Sequence, residues 1–311
     1  MHLQSRTFAG RGGPRLLITG GVHGDEFEPM AAIRRLIRWF DQEPALASNL
    51  NGSVQLVPVV NEAAFIRGHR TAEDNLDLAR TCPGNPEGSV THRVAAALTE
   101  LIKQSDAYID LHTGGTELSV QPLVGYQLVP DQSILETQRR MAGAFNLPFV
   151  WGTYAKTDGR TLSVARTAGV PAIYAEYLGS ATMTPQGVDA YVEGCLNVMS
   201  ELGIIDRDQP PSQVEHVVED NRPGSGHMQV CNPSPITGFF EPAVELGALV
   251  IKGQLLGTVC THLGNDRREI LAETDGKVLV LRTFPRVRKG ETLGVIAELE
   301  RSEHEPQKTL D

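Results

Sequence analysis

The chain has 311 residues and a formal net charge of −10, and its 41% apolar and 21% charged residues suit a globular protein with a sizeable core and exclude a disordered chain. The acidic balance and scattered Lys and Arg exclude a nucleic-acid-binding surface; no apolar run could span a bilayer and residues 1–13 hold no signal-peptide core, so no membrane partner and a cytoplasmic location are expected. Cys82, Cys195, Cys231 and Cys260 form no CxxC pair, which excludes a zinc knuckle or disulfide scaffold and predicts reduced, buried thiols.

Arg15 to Thr19 is a short apolar run closed by Gly20 and Gly21, and from Glu26 to Phe40 the residues Met30, Ile33, Leu36 and Ile37 recur at helical spacing. This pattern predicts a strand, a glycine turn and a helix. A second strand is expected at Val54 to Val60 after Asn51-Gly52, a helix at Val90 to Lys103, and a strand at Ala107 to Leu111. Phe149-Val150, a helix at Leu162 to Thr167, a strand at Ala172 to Glu176 and a helix at Gly187 to Leu202 continue the alternation, which means an α/β sheet covered by helices.

The polar, proline-bearing stretch from Ile205 to Glu215 suits a boundary, giving an α/β domain over residues 1–210 and a β-rich one over 211–311. Within the latter, Val250-Ile251-Lys252-Gly253-Gln254-Leu255-Leu256-Gly257 matches Val287-Arg288-Lys289-Gly290-Glu291-Thr292-Leu293-Gly294 at five positions. Two similar hairpin units follow, and their shape resembles the barrel-sandwich of biotinyl and lipoyl domains.

Gly21-Val22-His23-Gly24-Asp25-Glu26 places an imidazole and a carboxylate three residues apart where a strand gives way to a helix. Zinc accepts His nitrogen and carboxylate oxygen at about 2.0 to 2.2 Å, and catalytic sites use three protein ligands and keep one position for water. By itself the motif also suits a turn in which Asp25 or Glu26 favours the helix N-terminus. Asp110-Leu111-His112-Thr113-Gly114-Gly115 offers a third ligand, His112, at a strand end, where open α/β sheets carry their sites.

These segments together resemble the succinylglutamate desuccinylase and aspartoacylase family of zinc hydrolases, over essentially the whole chain. The resemblance implies a zinc-carboxypeptidase-like mixed α/β sheet flanked by helices, plus a C-terminal all-β barrel-sandwich domain marked by GFFEP at Gly238 to Pro242. It implies one Zn2+ per chain held by His23, Glu26 and His112, and Glu176 of AIYAEYLG as general base. From NEAAFIRGHR and NLDLAR it implies Arg70 to polarise the scissile carbonyl, Arg80 to meet a substrate anion, and Asp77 to orient His23. Arg67, beside the match, is expected to be solvated. The chain departs from the family at Ala79, where many relatives have asparagine, which weakens the grip expected on a substrate carboxylate.

The expected activity is hydrolysis of the amide of a small N-acylated amino acid or amine, by a metal-activated water and the Glu176 base. A metallocarboxypeptidase acting on short peptides and a non-catalytic zinc-binding or ligand-binding protein are the alternatives. An acyl or biotin carrier is disfavoured, because Thr258 to Thr274, between the repeats, contains no lysine. The partner is then a small N-acyl substrate, and the sequence leaves a homo-oligomer open.

Overall fold

The structure is a computed structural model that describes residues 2–228 and 231–299. Strand β1 (Arg6–Ala9) leads into β2 (Arg11–Thr19), in which Leu16, Leu17 and Ile18 are all buried, the continuous apolar run of a strand covered on both faces. Helix α1 (Phe27–Gln42) buries Met30, Ile33, Leu36 and Phe40 along one stripe, and α2 (Pro44–Ser48) and β3 (Asn51–Val57) follow. Glu26 therefore precedes the helix instead of opening it, and the second strand lies earlier than its apolar run alone suggests. Short helix α3 (Glu62–Arg67) starts where the Asn61 side chain accepts from the Ala64 N–H at 3.2 Å.

Helix α4 (Val90–Lys103) has the predicted bounds, and β4 (Ala107–His112) runs one residue further than expected. Strand β5 (Leu118–Leu128) and helix α5 (Gln132–Phe145) come next; α5 is capped by Asp131, which accepts from the Ser133 and Ile134 N–H groups. Then come β6 (Phe149–Tyr154), α6 (Thr161–Ala168), β7 (Ala172–Gly179) and α7 (Pro185–Glu201), the last begun by a Thr184 cap and a proline. Later elements are strands: β8 (His216–Asp220), β9 (Gly238–Pro242), β10 (Leu249–Val250), β11 (Leu255–Cys260), β12 (Arg267–Leu271), β13 (Gly276–Arg282), β14 (Arg286–Val287) and β15 (Gly294–Ala297).

Among the described residues eleven strands form one mixed sheet whose path runs β1-β3-β2-β4-β7-β5-β13-β10. Strands β3, β2, β4 and β7 are parallel, so their C-terminal ends share one edge, and β5 lies antiparallel against β7. The far side of β5 is shared, because β6 pairs with Leu123 to Leu128 and β13 with Leu118 to Val120. One face packs under α1, α5 and α7, the other under α4 and α6. No helix among the described residues is long and apolar enough to cross a membrane.

Ile205 to Glu215 carries no helix or strand, and β8 then joins β6 at the edge of the larger sheet. A four-stranded sheet, β12-β11-β9-β14, shares a core with β10 and β13 built from Phe240, Val250, Leu256, Val259, Val278 and Val287 among others. Both repeats have the same local form, a two-residue strand ending at Val250 or Val287 and a glycine of left-handed φ, Gly253 at 84° and Gly290 at 89°. The four cysteines are free thiols, but only Cys82 and Cys195 are buried; Cys231 and Cys260 sit among the strands after α7 and are half-buried.

Candidate active site

The sheet edge brings the predicted residues together. His23 lies in the turn after β2, held close to α3 by Gly24, where a Cβ would overlap the Ala64 backbone. His112 ends β4, and in the parallel register its partner across the ladder is Glu176 of β7. The Nδ1 atom of His23 is 2.6 Å from Glu26 Oε1, and Nδ1 of His112 is 3.0 Å from Glu26 Oε2. Among the described residues, His23, Glu26 and His112 form a group that could hold a metal ion, their ligand atoms lying within 4.8 Å of one another.

Each imidazole is fixed from behind by a carboxylate. Nε2 of His23 is 3.1 Å from Asp77 Oδ1, and Nε2 of His112 is 3.0 Å from Asp110 Oδ2. With a cation at the cluster centre, such pairing would select the tautomer whose Nδ1 lone pair faces it. Asp110 is fully buried; its Oδ1 accepts from the Thr19 hydroxyl at 2.8 Å and its Oδ2 from Thr161 at 2.5 Å. The Tyr191 hydroxyl donates to the backbone carbonyl of His112. Burial works against the Asp77 charge, yet the hydrogen bond from His23 and the Arg70 guanidinium hold its carboxyl well below the usual range.

Glu176 is 6% exposed, and its Oε2 is buried without a hydrogen-bond partner. Burial first, and the nearby Glu26 charge, raise its carboxyl to about 7, against the lowering influence of His112, His23 and Arg70. A buried acceptor left unmade is unfavourable, so its persistence points to a ligand or proton-transfer role.

Arg70 donates through Nε and Nη2 to Asp77 Oδ2 at 3.2 and 3.0 Å, leaving Nη1 3.9 Å from Glu26 Oε1. Arg80 ends a single tight helical turn at Leu78–Arg80, and its Nη1 donates to the Ala79 carbonyl at 2.6 Å. Arg67 is exposed as expected, but it also ties down its own loop by donating to the carbonyls of Thr71 and Ala72.

One cavity is lined by His23, Glu26, His112, Glu176, Arg70 and Arg80, and also by Arg160, which the sequence did not single out. The Arg160 Nη1 donates to the Gly226 carbonyl at 3.2 Å, while Nε and Nη2 are buried without partners. Burial, then the Arg160 charge, lower Arg80 to about 10, and burial likewise lowers Arg160. Two crowded guanidiniums of this kind are suited to a planar anion. An arginine just before a predicted helix reads from sequence as solvated, and only the fold turns Arg160 inward. Asp110 stood in the second motif, but its bond to His112 depends on which face of β4 it occupies.

A mixed sheet bearing acid and imidazole groups at the C-terminal ends of parallel strands, with guanidiniums from neighbouring loops facing the same cavity, has the architecture of an α/β enzyme. Residues 12–202 match the succinylglutamate desuccinylase/aspartoacylase catalytic domain. The chain is 33% identical over 297 residues to the N-alpha-acetyl-L-2,4-diaminobutyric acid deacetylase of Halomonas elongata, covering 92% of this chain and 83% of that one. Its fold is similar to a succinylglutamate desuccinylase/aspartoacylase from Rhodobacter sphaeroides, with TM-score 0.83, 26% identity and coverage of 95% of this chain and 89% of that one. It is also similar to the product-bound ectoine utilization protein EutE (DoeB) from Ruegeria pomeroyi, with TM-score 0.82, 26% identity and coverage of 94% and 87%. The chain belongs to the succinylglutamate desuccinylase/aspartoacylase family.

Proposed function

We propose that this chain is a zinc-dependent deacylase that hydrolyses the amide bond of a small N-acylated amino acid. The observation that carries this is the buried, unpartnered Glu176 Oε2 in the same cavity as the His23, Glu26 and His112 cluster. Two imidazole nitrogens and a carboxylate, each imidazole backed by a further carboxylate, are the donor set that zinc favours, so the residues fit one Zn2+ per chain. When bound, the ion would polarise the acyl carbonyl and acidify a water.

The chain's own groups then divide the work. Glu176 takes the proton of the attacking water on its carboxylate, through the Oε2 atom that has no other partner, and returns it to the leaving nitrogen. Arg70, held by Asp77, offers Nη1 to the acyl oxygen as charge develops there. Arg160 and Arg80 hold the substrate carboxylate, which offsets the asparagine missing at Ala79. Gly226 and Met228 line the same cavity, which fits division of the chain near residue 210 into a hydrolase part and a β-rich barrel-sandwich part that narrows the entrance against longer peptides.

The name of the Halomonas elongata relative supports acetyl as the acyl group. Metal analysis combined with an amine-release screen over acetyl, succinyl and formyl amino acids, diamines and short peptides tests this. Zinc retention with amine release from an N-acyl amino acid is expected; a zinc-loaded protein inert on all of them, or active only on peptides, would overturn it.

A further inference from the structure

Among the described residues, three lining side chains of the active-site cavity carry buried polar atoms without partners: Glu176 at Oε2, Arg160 at Nε and Nη2, and Gln127 at Oε1. The first two have roles above, one toward the scissile amide and one toward an anion. Gln127 has none. It stands on β5, opposite Thr153 of β6 in the parallel register, and is 4% exposed. Its backbone is fixed, the carbonyl accepting from Gln138 Nε2 at 2.8 Å and from the Val129 N–H at 2.8 Å, which sets the face of β5 from which the side chain leaves.

Among the described residues, the carboxylates lining this cavity are Glu26, Asp110 and Glu176. Glu26 and Asp110 bond the cluster imidazoles, and Glu176 is reserved for the proton. The amide oxygen of Gln127 is thus an acceptor left over for a ligand donor, in a cavity that also presents cations for a ligand anion.

We propose that Gln127 determines specificity by accepting a hydrogen bond from a second amino group on the substrate, so that the preferred substrate is an N-acyl diamino acid. This deepens the deacylase function proposed above and rests on it. A site built to bond a donor discriminates strongly against the analogue that lacks it, because its own buried group is then left unmade.

The test compares kcat/KM for N-alpha-acetyl-2,4-diaminobutyrate and N-alpha-acetyl-2-aminobutyrate, which differ only in the terminal amine, in the zinc-loaded protein. The wild type should prefer the diamine by about tenfold to a hundredfold. In Gln127→Leu, of similar volume, the preference should collapse to near one, chiefly through KM, while Gln127→Glu, which keeps an acceptor, should retain it. A wild type without preference, a preference intact in Gln127→Leu, or one lost equally in both variants would overturn the assignment. A wild type inert on both substrates would instead remove the deacylase function itself, and the assignment with it.

Discussion

Asp110 offers a quantitative test of how the cluster is held. Its Oδ2 bonds His112 Nε2 at 3.0 Å and Thr161 Oγ1 at 2.5 Å, while its Oδ1 accepts from Thr19, whose hydroxyl also lies 2.8 Å from the Tyr108 hydroxyl. In Asp110→Asn the amide oxygen can still face His112 and Thr161 if the new NH2 donates to Thr19, which then passes its own proton toward Tyr108. That variant loses the charge and keeps the bond, so zinc affinity should fall about tenfold, near the lower end for loss of a carboxylate behind a metal-bound histidine. Asp110→Ala loses both and leaves a hole at a fully buried position, so about a hundredfold is expected, equivalent to about 2.7 kcal/mol. Competition for zinc against a chromophoric chelator measures both. Wild-type affinity in Asp110→Ala, with the fold intact by circular dichroism, would refute the reasoning.

Arg160→Met should raise KM for an N-acetyl amino acid by roughly ten- to a hundredfold through lost charge-assisted bonds, and much less for an N-acetyl amine without a carboxylate; steady-state kinetics on the pair decides. At Gly125 a Cβ would overlap the Tyr174 ring, so Gly125→Ala should push that ring into the cavity and lower kcat/KM about tenfold or more without loss of bound zinc. Asp74 caps α4 from a distance, accepting from the Thr91 N–H at 2.9 Å and from the Ser89 and Thr91 hydroxyls at 2.5 and 2.7 Å. Burial opposes its charge but these bonds win and hold its carboxyl at about 2. A depressed carboxyl stabilises the fold fully above its unfolded value near 4 and loses that contribution as pH falls toward 2. Asp74→Ala should therefore lower stability by about 1–2 kcal/mol in urea unfolding from pH 8 to 5, with the difference from wild type shrinking below pH 4.

Periodicity marked the parallel strands and helices α1, α4 and α7, because β2, β4 and β7 hold the apolar runs Leu16 to Ile18, Ala107 to Ile109 and Ala172 to Ala175, and α1 and α4 have clear apolar stripes. It did not mark β5, whose LSVQPLVGYQL is broken by Pro122 and Gly125, although this strand carries Gln127 and joins β7, β6 and β13. Helix α5 had readable signals in Asp131 at its start and the left-handed Asn146 at its end, but Gln138 lies within its buried stripe and weakens the pattern. The pairing of β13 with β5 joins segments more than 150 residues apart in the chain, and no local pattern announces it. The site divides in the same way. His23, Glu26 and His112 stand in short motifs beside glycines, whereas Asp110, Arg160 and Gln127 gain meaning only from what surrounds them once the strands are paired.

The most direct test is Glu176→Gln, assayed side by side for bound zinc and for turnover of an N-acetyl amino acid. With Glu176 carrying the proton and His23, Glu26 and His112 holding the ion, the variant should retain about one zinc per chain while turnover falls by roughly 10² to 10⁴. Loss of zinc together with activity, or turnover within tenfold of wild type, would contradict that division of roles.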